Sequence, residues 1–200
     1  MEKLEELKLG KDLVENENKQ PLARYLLGKI MHCASGDYLI TVTEAYPAND
    51  VYSYIYRATH NEDGTKKSEN EIDKNSKAYK ILTDENMVGK FFLYGGMLHL
   101  AGKANKGNAR FELDNVLIRG AVKVEDNTLI IDDNINMNFG EGRPTTLVKT
   151  LKIDENNLST LKIYGSSLSF TNKACERIGL KDNKTDATAE YRFFINGIKI

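Results

Sequence analysis

The stretch that decides the fold is Tyr38–Tyr46, YLITVTEAY, which has the composition of a β-strand. Four of its residues fall on one side at the two-residue period of a strand: Ile40, Val42, Glu44 and Tyr46. Glu44 therefore carries a carboxylate in line with two β-branched apolar residues, where it loses contact with water. Such a group is either a liability to stability or a working acid or base.

The overall composition is that of an ordinary globular protein. The chain has 200 residues, of which 40% are hydrophobic and 28% charged, so it is long enough to bury a core as one domain. The formal net charge is -1. We therefore expect no binding of nucleic acid through bulk electrostatics, and any contact with nucleic acid has to be local.

The cysteines and the N-terminal residues predict where the protein works. Cys33 and Cys175 have neither CxxC spacing nor a preceding secretory leader, so we expect neither a disulfide framework nor thiol-ligated zinc. Residues 1–20 form a highly charged segment without the apolar centre of a signal peptide. No apolar run approaches the roughly 18 residues of a membrane span. These features predict a cytoplasmic protein without membrane contact.

The order of predicted elements favours an α+β fold. A short helix from Pro21 to Gly28 precedes a hairpin formed by Lys29–Cys33 and Tyr38–Tyr46. Tyr52, Tyr54 and Tyr56 alternate as they would in a strand, whereas Thr59–Asn75 is polar and predicts a long surface loop. Helices are expected at 76–82 and from Pro144 to Leu151. Further strands are expected at 91–94, 97–101, 115–124, 128–131, 158–163, 167–170 and 191–195. Residues 21–200 thus predict a single α+β domain with a largely antiparallel, curved sheet flanked by short helices.

Two charged residues on apolar strands are the strongest candidates for chemistry. Arg119 lies within Val116–Val122, VLIRGAV, and a guanidinium there needs an anion, either an internal carboxylate or a ligand phosphate. The alternative for Arg119 is an edge strand that faces solvent. The alternative for Glu44 is a strand end from which the carboxylate reaches water, and the position alone favours neither.

Other candidate groups carry less information. The three histidines, His32, His60 and His99, are too scattered to predict a metal site, and no GxSxG elbow is present. Gly95 and Gly96 lack the spacing of a phosphate-binding loop and predict a turn or bulge. Bases cluster at Lys103, Lys106 and Arg110, although such clusters on loops are usually only solvated.

Several segments, in order along most of the chain, together resemble one family. They are LARYLLGK at 22–29, ITVTEAY at 40–46, DVYSYIY at 50–56, FFLYGGM at 91–97, VLIRGA at 116–121, GEGR at 140–143 and RFFING at 192–197. These segments resemble the alkyladenine (3-methyladenine) DNA glycosylases, with TEAY and LIRG the most specific. The chain differs from the family at Tyr54, where the family usually has a histidine that touches the flipped base. It also has Gly95 where the family has its intercalating tyrosine, with Tyr94 one residue earlier.

The resemblance implies a role for each matching residue. Glu44 would be the general base that activates water, held by Arg119, and Tyr46 would stack on the extruded base. Tyr54 and Phe92 would complete the base-binding pocket. The residues expected to contact DNA are Tyr94, Lys103, Lys106, Arg110 and Arg143.

The implied activity is hydrolysis of the N-glycosidic bond of alkylated purines in double-stranded DNA. We expect a monomeric, monofunctional glycosylase without lyase activity, metal or other cofactor. The alternative is a non-catalytic descendant of the same fold that binds nucleic acid or a nucleoside. A third interpretation, in which the matches reflect only shared packing of the sheet, predicts no affinity for DNA.

Overall fold

An antiparallel sheet forms the centre of the computed structural model, which describes residues 22–103, 114–126, 128–130, 142–166, 169–180 and 189–199. The charged segment 1–20 lies outside these ranges. The strands are β1 Ile30–Cys33, β2 Gly36–Tyr46, β3 Phe91–Tyr94, β4 Met97–Gly102, β5 Asp114–Glu125, β6 Thr128–Ile130, β7 Lys162–Tyr164, β8 Ser169–Cys175 and β9 Arg192–Lys199. The α-helices are α1 Leu22–Leu26, α2 Tyr54–Thr59, α3 Lys77–Leu82 and α4 Pro144–Thr150. The predicted α+β class with a curled antiparallel sheet is confirmed.

Strand β2 holds the sheet together, as its apolar sequence predicts. The strands run β3-β4-β5-β2-β1-β7 across the sheet, with β6 beside β5 and the pair β8-β9 attached to β2. The first half of β2 pairs with β1 and the second half with β9, while β5 follows it along the other side. Every residue from Tyr38 to Glu44 is buried, because β2 has neighbours along its whole length.

An irregularity in the β2-β5 ladder affects the predicted alternation. The register shifts between Ile40 and Val42 and again between Val42 and Thr43, whose partners on β5 are Gly120 and Ile118. The register between β2 and β5 therefore skips position 119, which Arg119 occupies. Bulges of this kind bend a strand and change the direction of a side chain, and this bulge lies two residues from Glu44.

Two hydrophobic clusters support the sheet. The larger contains α1, β1, much of β2 and β5, and α4. The smaller is formed by Ala48, Ile55, Leu82, Phe92 and Ala101, so it joins α2 and α3 to the hairpin of β3 and β4. This smaller cluster fixes the wall of the candidate site described below.

One predicted strand is wrong, and a second is found only at its C-terminal end. Residues 54–59 form helix α2, because Ile55 and Thr59 are both buried, four residues apart, against the smaller cluster. Leu158–Thr160 is a turn of 3-10 helix, and β7 begins only at Lys162. The predicted start of the next strand, at residues 167–168, lies outside the described residues.

Most of the other predicted elements are found within a residue or two of their expected bounds. The turn predicted at Gly95-Gly96 joins β3 to β4, and both glycines have positive φ, 58° and 72°. Of the helices within the described ranges, none combines the length and the apolar character needed to cross a bilayer.

Candidate active site

The candidate site is built around Glu44, near the end of β2. Its backbone neighbours are Leu117 on β5 and Arg192 on β9, so strands cover it on both sides. The side chain is 0% exposed. A carboxylate in such a position has to be stabilised by charge and hydrogen bonds.

Among the described residues, three groups contact the Glu44 carboxylate. The Arg119 guanidinium approaches Oε1 through Nη1 at 3.3 Å, and the backbone N–H of Ile178 donates to the same oxygen at 3.4 Å. The Tyr46 hydroxyl donates to Oε2 at 3.0 Å. The predicted pairing of Glu44 with Arg119 is therefore confirmed, and the solvent-facing alternatives for both residues are excluded, since Arg119 is only 8% exposed.

Tyr46 acts as a hydrogen-bond donor in this arrangement. Burial raises the pKa of its phenol well above the ordinary value, and the negative charge of Glu44 raises it further, while Arg177 opposes the shift. The hydroxyl therefore keeps its proton over the whole physiological range.

Arg177 is a residue of the site that the sequence analysis missed. Its side chain is fully buried and forms an ion pair with Asp50, and its Nη1 donates to the Ala45 carbonyl at 3.0 Å. The guanidinium also lies over the rings of Tyr46, Tyr52 and Tyr191, 4.5, 5.4 and 5.1 Å from their centroids. Arg177 thus fixes one face of Tyr46 and holds Ile178 near Glu44.

A cleft of about 390 Å³ opens beside these residues. Arg119 and Tyr46 line it, whereas Glu44 lies directly behind them. The other lining residues come from five segments of the chain: Tyr54, Met97, His99, Leu117, Gly142, Arg143, Pro144, Ile178 and Gly179. Clefts of about 300–1,000 Å³ with few polar groups are the usual binding sites for small molecules.

Aromatic rings form one wall of the cleft. Tyr54, on α2, packs against Tyr94 with centroids 4.0 Å apart, and meets the His99 ring edge-on at 5.7 Å. Phe92 is 3% exposed and stacks on the His99 ring at 5.2 Å. The wall position predicted for Phe92 is therefore occupied by His99, because Phe92 turns into the smaller hydrophobic cluster.

The residues predicted to contact DNA occupy different positions. Arg143 is exposed, precedes α4 and lines the cleft. Tyr94 is half-buried at the end of β3, and Lys103 is exposed just beyond β4. Lys106 and Arg110 lie outside the described residues. The structure therefore brings Arg143 to the site, whereas Tyr94 reaches it only through its contact with Tyr54.

His99 is the second residue missed from the sequence. It is the one strongly polar side chain of β4, MLHLAG, and this isolation on an apolar strand is the same signal that identified Glu44 and Arg119. Arg177 gave a weaker signal, since its partner Asp50 lies 127 residues earlier in the chain. Among the described residues, no three His, Cys, Asp or Glu side chains are grouped so as to hold a metal ion.

Comparisons with known proteins identify no family for this chain. No protein-family model matches the sequence, and no curated protein is significantly similar to it.

Proposed function

We propose that this protein is a monofunctional DNA glycosylase that extrudes alkylated purines from double-stranded DNA and hydrolyses their N-glycosidic bond. The observation that carries the proposal is the buried Glu44–Arg119 pair, with Tyr46 beside it, at the edge of the cleft. A carboxylate that a guanidinium and a hydroxyl hold in one orientation at such a site is a suitable general base, because it is positioned to take a proton from water.

The cleft has the features that an extruded base needs. Tyr46 and Tyr54 present aromatic surfaces, and stacking on such rings favours electron-poor, cationic alkylated purines over normal bases. Extrusion costs a few kcal/mol and is easiest for damaged or poorly paired bases. Selectivity would therefore come from both the ease of extrusion and the stacking.

In the reaction, Glu44 takes a proton from a water molecule whose oxygen bonds to the sugar C1′. The bond from C1′ to the purine nitrogen breaks, and its electron pair goes to the base. A cationic alkylated base becomes neutral as it leaves, so the reaction needs no separate acid. The negative charge of Glu44 also stabilises the positive charge that develops at C1′.

The attacking water has to enter a covered site. Glu44 is 0% exposed, so water reaches it only when one of its covering groups moves. The contact from Ile178 N, at 3.4 Å, is the longest of the three, and hydrogen bonds weaken as they lengthen. This donor therefore forms the weakest of the three contacts.

The same covering favours a second candidate function. A carboxylate sealed behind Tyr46, Arg119 and Ile178 is also what a binding protein would retain if the acid served only to hold the cleft together. In that case the protein binds nucleic acid or a nucleoside without cleaving it.

Release of modified purines distinguishes the two functions. The assay uses duplexes containing 3-methyladenine, with wild type and Glu44→Gln, and detects abasic sites by alkaline cleavage. The matched control is Glu155→Gln, an exposed glutamate that does not line the cleft. We expect release by wild type and the control only, and an intact strand before alkali. Duplex binding without release by any of the three proteins would favour the binding function.

A further inference from the structure

The further inference concerns the side chain of Ile178, which the proposed reaction does not use. Among the residues that the structure describes, only two large apolar residues are exposed, Ile130 and Ile178, each to 38%. Ile130 lies on β6 and does not line the cleft, whereas Ile178 does. A single exposed apolar side chain is ordinary on a protein surface, but this one lies at the mouth of the candidate active site.

The backbone at Ile178 is held by buried groups. Its N–H donates to Oε1 of Glu44 at 3.4 Å, and the preceding residue, Arg177, is fully buried and paired with Asp50. On the other side lies Gly179, where an added Cβ would meet no atom within 4 Å outside its chain neighbours. A held backbone thus presents an apolar side chain beside open space.

The neighbouring apolar side chains at the cleft are less exposed. Tyr94 packs on Tyr54 with ring centroids 4.0 Å apart, and the turn that follows it consists of two glycines. Met97, the next residue, is only partly exposed. Of the large apolar residues that line the cleft, Ile178 is therefore the most exposed.

Extrusion of a base creates a position in DNA that suits such a side chain. The base leaves a gap in the stack, and proteins that deform DNA frequently insert apolar side chains, isoleucine among them, between base steps. Arg143, which is exposed at the same cleft, offers a positive charge to the phosphates. The mouth of the cleft thus combines an apolar group for the gap with a cation for the backbone.

We infer that the Ile178 side chain enters double-stranded DNA and occupies the gap that the extruded base leaves in the stack. This inference rests on the proposed function, because it requires that a base leave the duplex for the cleft. It assigns contact with the gap to the segment that follows β8, and not to Tyr94 on the β3–β4 hairpin. Apolar contact with the neighbouring bases then stabilises the extruded state for any lesion.

The experiment measures binding to a duplex that already has the gap, so it is independent of turnover and of any base in the cleft. Fluorescence anisotropy titrations compare a duplex containing one tetrahydrofuran abasic analogue with the same duplex fully paired. We expect wild type to bind the abasic duplex about 10-fold or more tightly, since burial of an aliphatic side chain contributes about that factor. Equal affinities for the two duplexes, or no binding of either, would overturn the inference.

Variants then assign the preference to the residue. Ile178→Ala removes most of the apolar side chain, and we expect its ratio of abasic to paired affinity to fall about 10-fold. Ile178→Leu, which keeps an apolar side chain of the same size, should retain most of the preference. Ile130→Ala is the matched control, since Ile130 is equally exposed and lies outside the cleft. A wild-type ratio in Ile178→Ala, or an equal fall in Ile130→Ala, would contradict the role of Ile178.

Failure of the inference and failure of the proposed function give different results. Release of 3-methyladenine from DNA, together with a wild-type preference for the abasic duplex in Ile178→Ala, overturns the role of Ile178 and leaves the glycosylase intact. A preference that disappears in Ile178→Ala, without base release from any duplex, supports the role of Ile178 and contradicts the glycosylase.

Discussion

Two buried ion pairs, Asp50–Arg177 and Glu44–Arg119, lie side by side in this molecule and differ in their surroundings. Both side chains of the first pair are at most 1% exposed, and Arg177 is surrounded by three tyrosine rings. In the second pair, Arg119 is 8% exposed and lines the cleft, and its Nη1 approaches Glu44 at 3.3 Å. The first pair is enclosed by protein on all sides, whereas the second has one member at the cleft.

The contrast teaches that burial of a charge does not by itself indicate function. A buried pair whose members face only protein contributes to structural specificity, at a desolvation cost that its own contacts have to offset. A pair with one member at a cleft can exchange contacts with a ligand. The predictions below test this division in order of expected effect.

Asp50→Asn should have the largest effect on stability. It leaves the Arg177 charge buried without its carboxylate, which costs about 3–5 kcal/mol. Glu44→Gln should cost less, about 1–2 kcal/mol, because Arg119 can be hydrated through the cleft. Urea unfolding of the two variants measures the difference. Equal losses would remove the distinction between the pairs.

The sequence predicted the cleft pair but not the enclosed pair, for a physical reason. Glu44 and Arg119 each stand out as a charge on an apolar strand, a local pattern that needs no knowledge of the fold, and their pairing is what the family resemblance implies. Arg177 follows β8 in a polar segment, and only the fold brings it to Asp50. Contacts between distant segments leave no periodic signal in either segment.

The remaining differences have similar causes. Tyr52, Tyr54 and Tyr56 alternate like strand residues, but burial of Ile55 and Thr59 against the smaller cluster selects a helix. In the sequence, His99 is only one of three scattered histidines, and its part in the wall depends on the β3–β4 hairpin, which places Phe92 against it. The sequence predicts individual elements and isolated charges well, but not which side chains of neighbouring elements share a surface.

His99 extends the comparison to a neutral buried group in the cleft wall. Its folded pKa, about 4, lies below the ordinary value of 6.5, so the unfolded chain binds the extra proton between these pH values. The contribution of His99 to the free energy of unfolding is therefore complete above pH 6.5 and declines as the pH falls towards 4. Wild type should lose roughly 2 kcal/mol more than His99→Phe between pH 7 and pH 4.5. Parallel losses in urea unfolding would show that His99 titrates normally.

Arg119→Lys tests the cleft pair with its charge retained. A lysine keeps a positive charge near Glu44 but lacks the planar fork that positions it, so base release should fall about 10-fold with little change in DNA affinity. Arg177→Lys should instead lower the melting temperature, because its planar contacts with three tyrosines are lost. If the two lysine variants showed the same base release and the same melting temperature, the two ion pairs would not have the different roles assigned to them.

Arg143→Gln should have the smallest effect. Arg143 is exposed at the cleft, and loss of one phosphate contact should weaken duplex binding several-fold and reduce the salt slope by about 1. Arg24→Gln, on exposed α1 surface away from the cleft, serves as the control. Titrations at several salt concentrations measure the slope, and an unchanged slope would remove Arg143 from the DNA interface.

The most direct test of the central claim is single-turnover release of 3-methyladenine from duplex DNA by Glu44→Gln, compared with wild type and Glu155→Gln. Loss of a general base predicts a rate at least about 100-fold lower in Glu44→Gln alone, with duplex binding retained. Release at the wild-type rate by Glu44→Gln would contradict the assignment of Glu44 as the group that activates water.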